Sequence, residues 1–331
     1  MQPFPVIAGP TAGGKSDLAV EVALLLGGGA PGAAEIVTAD AFQVYRALDI
    51  GTAKPTPEER RGIPHHLIDV VEPTERFTAA QWLAAARAAI ADTRARGRMP
   101  IVVGGTHLYI KALLDGLFDG PEPDATLRAE LQAIPQGTRR AELERVDPAA
   151  AARIHANDDR RTIRALEVFR QTGRPISAHQ RQWDRVPADS AADPTDQHTD
   201  RGIPGAMLVT LDWPTPELNR RINERVRSMI ARGLLGEVRG LHESARLGPQ
   251  AREALGYKQL LTHLRGECTL DDAVERIKIE TRRFAKNQRT WLRRLSATPG
   301  ALRIDAGATP PESRASEVIA RLHTTGDVRV R

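Results

Sequence analysis

Residues Gly9-Pro10-Thr11-Ala12-Gly13-Gly14-Lys15-Ser16 fill the pattern G-x-x-x-x-G-K-[ST] without a gap. No other feature restricts the fold as much, because this segment works only as the turn between a buried strand and a helix. Phe4–Ala8 reads as that strand, and the apolar spacing of Asp17–Leu26 predicts the helix. Glycines let the backbone turn its N–H groups inward, Lys15 adds a point charge, and the helix N-terminus adds partial positive charge. The pattern therefore predicts a phosphate cradle, with the Ser16 hydroxyl placed to hold Mg²⁺.

Further strands are predicted at Glu35–Ala39, His66–Val70 and Met99–Val103, separated by helical stretches such as Thr78–Arg94. That alternation means an α/β fold with a parallel sheet, P-loop NTPase-like and flanked by helices. A turn-rich segment opens at Asp119, and from Leu127 to about Trp183 only helical patterns follow, so an all-helical domain is expected to be inserted there. Pro187–Gly205 reads as a long loop. Ala206–Leu211 resembles a returning strand and Leu302–Asp305 a last short one, with Thr324–Arg331 expected to fray. These boundaries give a catalytic core of residues 1–118 and 205–331 and a helical insert of residues 119–204.

The chain has 331 residues and a formal charge of +5, a basic excess that suits a polyanionic partner without requiring one. Cys268 is the single cysteine, which excludes an internal disulfide and a cysteine-based zinc site and reads best as a small buried hydrophobe. No apolar run approaches the roughly 20 residues needed to cross a bilayer, and the first residues lack a signal-like pattern, so a cytoplasmic protein is expected.

The cradle lacks the usual company of a hydrolytic switch. Its clearest later strand, Ile101-Val102-Val103, ends in Gly104-Gly105-Thr106 rather than in Asp, and no Asn-Lys-x-Asp guanine reader occurs. Transfer chemistry remains. Asp40 follows the strand Glu35–Ala39, at the edge where α/β folds bind ligands, which makes it a candidate general base. From position alone it is equally an N-cap or a turn residue.

Several ordered segments resemble the tRNA dimethylallyltransferase family. They are Gly9–Ser16, Thr38–Tyr45, Asp49–Pro55, Pro64–Asp69, Gly104–Tyr109, Arg164–Val168, Gly256–Lys258 and Thr281–Arg293. The likeness implies transfer of a dimethylallyl group from its diphosphate to N6 of the adenosine immediately 3′ of the anticodon. It also implies Mg²⁺ and a cradle that holds an isoprenoid diphosphate where kinases hold ATP. Asp40 matches the family's catalytic carboxylate and Thr106 a threonine close to the reacting atoms, although Thr106 equally suits the N-cap of the helix after it. Arg221 stands where the family places an arginine that reaches the diphosphate. Whether ATP also binds the cradle is left open.

The target base must be flipped out of its stack to react. The resemblance assigns contact with the tRNA anticodon stem-loop to Asp40, Ala41, Phe42 and Gln43, to Thr106, Arg128, Arg160, Arg161 and Arg164, and to Gly256, Tyr257 and Lys258. An independent sign lies in the helix predicted from Thr269 to Ala297, opened by a capping box at Thr269 and Asp272. Arg282, Lys286, Arg289 and Arg293 share one face, a cationic stripe suited to phosphates or simply to solvent. Ile277, Phe284, Trp291 and Leu295 share another and read as core.

Three positions depart from the family pattern: Ala41 replaces its usual serine, Arg160 a common glutamine, and Lys258 an arginine found in some relatives. A P-loop small-molecule or nucleoside kinase is the main rival. A nucleotide-dependent RNA-binding module and an isopentenyltransferase acting on free nucleotides are the others. The helical insert and the basic helix speak for a macromolecular acceptor, and a monomer is the expected state.

Overall fold

The computed structural model describes residues 2–117, 120–179 and 202–327. Six strands form one parallel sheet: β1 (Phe4–Ala8), β2 (Ala34–Ala39), β3 (His65–His66), β4 (Met99–Gly104), β5 (Ala206–Asp212) and β6 (Leu302–Asp305), in the order β3-β2-β4-β1-β5-β6. Parallel neighbours need crossovers, and helices supply them. α1 (Lys15–Leu26) leaves β1, short α2 (Pro57–Arg60) precedes β3, α3 (Ala79–Ala95) precedes β4, and α4 (His107–Asp115) leaves β4. The chain divides into two compact units, residues 1–114 with 203–331 and residues 115–202.

The first unit carries the sheet. β1, β2 and β4 are buried along almost their whole length, which is why their sequences run apolar rather than alternating. One core joins Ile7, Ile36, Ile101 and Val209 of the sheet to Leu18 and Val22 of α1 and Val318 and Leu322 of α14 (Pro311–Asp327), the last helix. On another helix pair, Trp82 of α3 stacks on Tyr109 of α4 with ring centroids 4.5 Å apart, and the Trp82 indole donates to Thr38 O at 2.9 Å. A second core joins Val44, Tyr45 and Leu48 to α10 (Thr215–Ala231), α11 (Leu234–Glu243), α12 (Tyr257–Leu264) and α13 (Leu270–Leu295).

The second unit is helical among its described residues: α5 (Ala125–Ala133), α6 (Gln136–Val146), α7 (Pro148–Arg153), α8 (Asp159–Thr172) and α9 (Ile176–His179) pack on Leu131, Leu143, Ile163, Leu166 and Val168. Arg139 is buried there because its guanidinium caps carbonyls of Leu131, Gln132 and Ile134 at the end of α5 and forks onto Asp159. Most of the loop expected at Pro187–Gly205, with Trp183 before it, lies outside the described residues.

Three expectations require correction. The strand at His66–Val70 shrinks to His65–His66, because Leu67 and Asp69 take left-handed φ of 63° and 56° that no ladder accepts. The terminal helix does not fray from Thr324 but runs to Asp327, its Thr324 and Thr325 hydroxyls bonding back to Ala320 and Arg321 carbonyls. Helix α13 opens on the expected capping box, but Phe284 is not core: it is 42% exposed, and Ala285, Gln288 and Leu292 take the buried phase with Ile277 and Leu295.

Glu35 anchors the root of β2. Its buried carboxylate accepts from Arg96, Arg98, Thr93 and the His66 ring. Burial alone would raise its pKa, but the hydrogen bonds from His66, Arg96 and Arg98 outweigh that and pull it down to about 2. Folded-state depression of a carboxyl stabilises above the unfolded value near 4.5 and is lost as pH falls toward 2. Arg96 and Arg98 are 39% and 38% exposed, so water screens part of the gain. Glu35→Gln is expected to lower unfolding stability at pH 7 by about 1–2 kcal/mol. Denaturation as a function of pH should show the gap to wild type closing below pH 4; a gap that persists to pH 2.5 would refute the ionic origin.

Candidate active site

Register places the ends of three strands in one row: Ala8 of β1 pairs with Gly104 of β4, and Gly104 with Ala39 of β2. Gly104 is required there, since a Cβ would lie 2.0 Å from Ala39 O. Three loops therefore begin side by side at the C-terminal edge of the sheet: residues 9–14, residues 40–43 and residues 105–106.

Residues 9–14 form the cradle expected from sequence, with left-handed Gly14 at the N-cap of α1. The Gly13 amide donates to Pro10 O at 3.1 Å and Lys15 Nζ to the same carbonyl at 2.8 Å. Three other segments hold the loop. Trp213 Nε1 donates to Gly13 O, Arg221 Nε to Ala12 O, and Thr11 N to Gln288 Oε1, while Gln288 Nε2 donates to Gly105 O. Arg221 lies over the Trp213 ring, 4.5 Å from its centroid, and reaches toward Gly14. Arg225, one helical turn along α10, has its charge close to Lys15, Asp40 and Asp17. Burial and Arg225 push the Lys15 ammonium down to about 8, against the pull of Asp40 and Asp17.

Asp40 and Thr106 meet across the neighbouring loops. Asp40 Oδ1 accepts from the amides of Phe42 and Gln43 at 2.9 and 3.2 Å. Its Oδ2 has no partner among the described residues. One oxygen thus fixes the turn, as a turn residue does, and the other is left without a hydrogen-bond partner. The Thr106 hydroxyl accepts from the Ala41 amide at 3.0 Å instead of capping its own helix, and the Thr106 amide donates to Ala39 O. Ala41 takes part through its backbone, which serine would supply equally. Gln43 is 8% exposed, and its Nε2 donates to Thr52 O and Ala53 O.

Ser16 is the second residue of α1, and its hydroxyl bonds to no described residue. No group of three His, Cys, Asp or Glu side chains among the described residues is set to hold a metal ion. A cation here would be held by the Ser16 hydroxyl and by oxygens of a bound phosphate, the mode a hard ion with a retained water shell accepts. The residues fit such an ion.

The other expected contacts fall differently. Tyr257 is fully buried, with its hydroxyl on Glu237, so it does not face solvent. Gly256 donates its amide to Gln259, and Lys258 pairs with Glu280 at 2.9 Å. On α13 the cationic stripe splits: Arg282 donates to Asn223 and Arg289 to Thr215, both on α10, whereas Lys286 and Arg293 stay exposed. In the helical unit, Arg128 and Arg164 both pair with fully buried Glu167, while Arg160 and Arg161 are exposed. Burial opposes ionisation of Glu167, but Arg164, Arg128 and the Asp124 amide keep its pKa below the usual range.

Sequence reasoning passed over Arg225, Gln288, Trp213 and His107. Arg225 was legible as the residue four after Arg221 on one helix face, and Gln288 as a polar residue at an apolar position between Ile277 and Leu295. Trp213 and His107 carried no such signal. His107 stacks on Trp291 with centroids 5.9 Å apart, and burial followed by the Lys15 charge pushes its pKa down to about 4, so it stays neutral.

The family model described as IPP transferase matches residues 43–295. "tRNA dimethylallyltransferase 1" of Trichlorobacter lovleyi is 48% identical over 293 residues, 87% of this chain and 90% of its own. The tRNA dimethylallyltransferase of Anaeromyxobacter dehalogenans strain 2CP-C is 47% identical over 295 residues, 87% of this chain and 91% of its own. Among solved structures, the tRNA isopentenylpyrophosphate transferase of Bacillus halodurans aligns over all of both chains with TM-score 0.69 and 31% identity. A eukaryotic dimethylallyltransferase acting on tRNA aligns over 96% of this chain and 78% of its own, with TM-score 0.77 and 28% identity.

The Lys15 ammonium is lost as pH rises through about 8 in the ligand-free protein, and an anion bound at residues 9–14 would depend on that charge. Calorimetric affinity for inorganic diphosphate should therefore fall between pH 7 and pH 9, and Lys15→Arg should move that fall above pH 9. Identical profiles for the two proteins would exclude Lys15 as the titrating group.

Proposed function

The chain belongs to the IPP transferase family, and on that premise we propose that it transfers a dimethylallyl group from dimethylallyl diphosphate to N6 of the adenosine immediately 3′ of the anticodon in tRNA, releasing diphosphate. The observation that carries this reading is the meeting of Asp40 and Thr106 beside the cradle, on loops bonded to each other through the Ala41 amide. A kinase would need the cradle but has no evident use for that pairing, and the relatives named above are not kinases.

In the reaction the adenine amine forms a bond to the allylic carbon as that carbon's bond to the diphosphate oxygen breaks. Asp40 Oδ2 takes the amine proton, with Oδ1 held by two amides so that the carboxylate does not turn away. General-base help of this kind contributes about 10²–10⁴-fold. The Thr106 oxygen accepts from Ala41 and keeps its proton and one lone pair. We assign that proton to the bridging oxygen, because donating to the amine would occupy the lone pair that attacks. Lys15, Arg221, Arg225 and the free cradle amides receive the charge that gathers on the departing diphosphate. When bound at Ser16, Mg²⁺ would neutralise further phosphate charge.

We assign RNA contact to exposed Lys286 and Arg293 of α13 and to exposed Arg160 and Arg161 of the helical unit, with Arg128 and Arg164 presented by Glu167. Gln43, Phe42 and Ala41 would frame the flipped base from the Asp40 loop. No helix among the described residues is long and apolar enough to cross a membrane. We propose that it acts in the cytoplasm, where it would meet a tRNA substrate, and as a monomer.

The test is incorporation of radiolabelled dimethylallyl groups into an anticodon stem-loop in the presence of Mg²⁺. Label should enter the RNA and vanish when the adenosine beside the anticodon is replaced by guanosine. Asp40→Asn should cost about 10²–10⁴-fold in kcat, and Thr106→Val about 10²-fold with Thr106→Ser largely active. ATP turnover on a small acceptor without labelling of RNA would replace this reading by the kinase.

A further inference from the structure

Residues 49–51 lie in one of the segments matched to the family, yet none of them offers an obvious catalytic group. Their backbone amides are the informative part. Glu237, in the first turn of α11, accepts from Asp49 N at 3.1 Å and Ile50 N at 2.7 Å through Oε2, and from Gly51 N at 3.1 Å through Oε1. The Tyr257 hydroxyl, arriving from α12, donates to the same Oε1. One carboxylate thus gathers three successive backbone donors and a phenol, an arrangement of charge-assisted bonds far stronger than a loop needs merely to stay folded. Burial and the Glu237 charge raise the Tyr257 pKa, so the phenol remains a donor.

The ring of Tyr257 also fixes the loop sterically. A Cβ on Gly51 would lie 2.4 Å from Tyr257 Cε2, so the loop backbone runs directly against the ring. At its far end Lys54 is buried and donates to Tyr45 O, Asp49 Oδ1 and Asp69 Oδ1. Held at both ends, the segment presents the carbonyls of Thr52 and Ala53 to Gln43 Nε2 at 3.1 and 3.2 Å. Gln43 in turn donates its own amide to Asp40 Oδ1. Hydrogen bonds joined by the backbone of residues 51–53 and by the side chain of Gln43 therefore link Tyr257 to the carboxylate of Asp40.

We propose that Glu237 and Tyr257 are positioning residues for the transfer: through residues 49–53 and Gln43 they set the orientation of the Asp40 carboxylate, and Tyr257 does not contact RNA. This rests on the reading of Asp40 as the base. It replaces the role that the family likeness suggests for Tyr257 with one that its burial permits. The chemistry predicts an effect on the rate of transfer rather than on substrate affinity, because a base displaced by a fraction of an ångström still binds its substrates.

Glu237→Gln, Tyr257→Phe and the double variant are to be compared with wild type in single-turnover transfer of labelled dimethylallyl groups to the stem-loop, alongside RNA affinity by filter binding. Each single variant should lower the transfer rate by about 10-fold and leave RNA affinity within about twofold. The double variant should be no slower than about the worse single one, since both act through one contact. Weakened RNA binding with an unchanged transfer rate in Tyr257→Phe would overturn the proposal. So would additive losses, or losses that disappear when rates are corrected for the folded fraction measured by circular dichroism. Absence of transfer by the wild-type protein would instead refute the assigned reaction, and the two failures are distinct. Gly51→Ala, which forces the loop away from the ring, should reproduce the rate loss without touching either side chain's chemistry.

Discussion

A loop that turns directly from a buried strand into a helix satisfies little of its own backbone, and the structure around residues 9–14 follows from that constraint. The usual remedy for loop carbonyls, a turn or a strand neighbour, would consume the amides as well. Here side chains hold the carbonyls: Lys15, next to the loop, takes Pro10, while Arg221 and Trp213, from distant segments, take Ala12 and Gly13. The Thr11 amide is engaged by Gln288 and the Gly13 amide by Pro10 O. The loop is rigid because β5, α10 and α13 brace it, so the returning half of the chain is part of the cradle and not an appendage to it.

The same economy governs the facing loops. Parallel pairing sets Ala8, Ala39 and Gly104 in one row, and the missing side chain at Gly104 lets β2 and β4 close up at their ends. The Ala41 amide then reaches the Thr106 oxygen, and the Thr106 amide reaches Ala39 O. The loop that carries Asp40 and the loop that carries Thr106 are thereby fixed to each other; if these two serve as base and donor, they are set before any substrate arrives. Preorganisation of this sort costs no reorganisation at the moment of reaction.

The cradle, the parallel sheet, the helical insert and the capping box of α13 were legible because each depends on local pattern: a motif of fixed length, runs of apolar residues, or a pair of residues three apart. The ends of β3 were not, since His66–Val70 has strand composition and only the positive φ of Leu67 and Asp69, demanded by the packing of residues 43–45 against residues 69–71, stops the ladder. Phe284 and the split of the basic stripe were hidden for a related reason. Periodicity locates a face of a helix but not what covers it, and on α13 the cover is α10, whose Asn223 and Thr215 take up Arg282 and Arg289. Trp213 and Glu237 escaped notice because their partners are backbone groups, and a sequence does not reveal which loop will leave its amides or carbonyls in want of them.

The resting charges of the site fit a more strongly anionic ligand than any side chain it contains. Lys15, Arg221 and Arg225 crowd one end of α1; burial, then Arg225, drives the Lys15 ammonium down to about 8, and burial with Arg221 lowers Arg225. Asp40 and Asp17 offset this only in part for both cations, with Glu59 adding to the balance at Arg225. An anion bound at this end of α1 would supply the missing negative charge and restore the ammonium. His107, kept neutral beside Lys15, adds no further cation and gives its ring to Trp291. Occupancy of the loop and ionisation of Lys15 would therefore be coupled through electrostatics, since an anion beside Gly14 opposes the burial and the Arg225 charge that lower the ammonium's pKa.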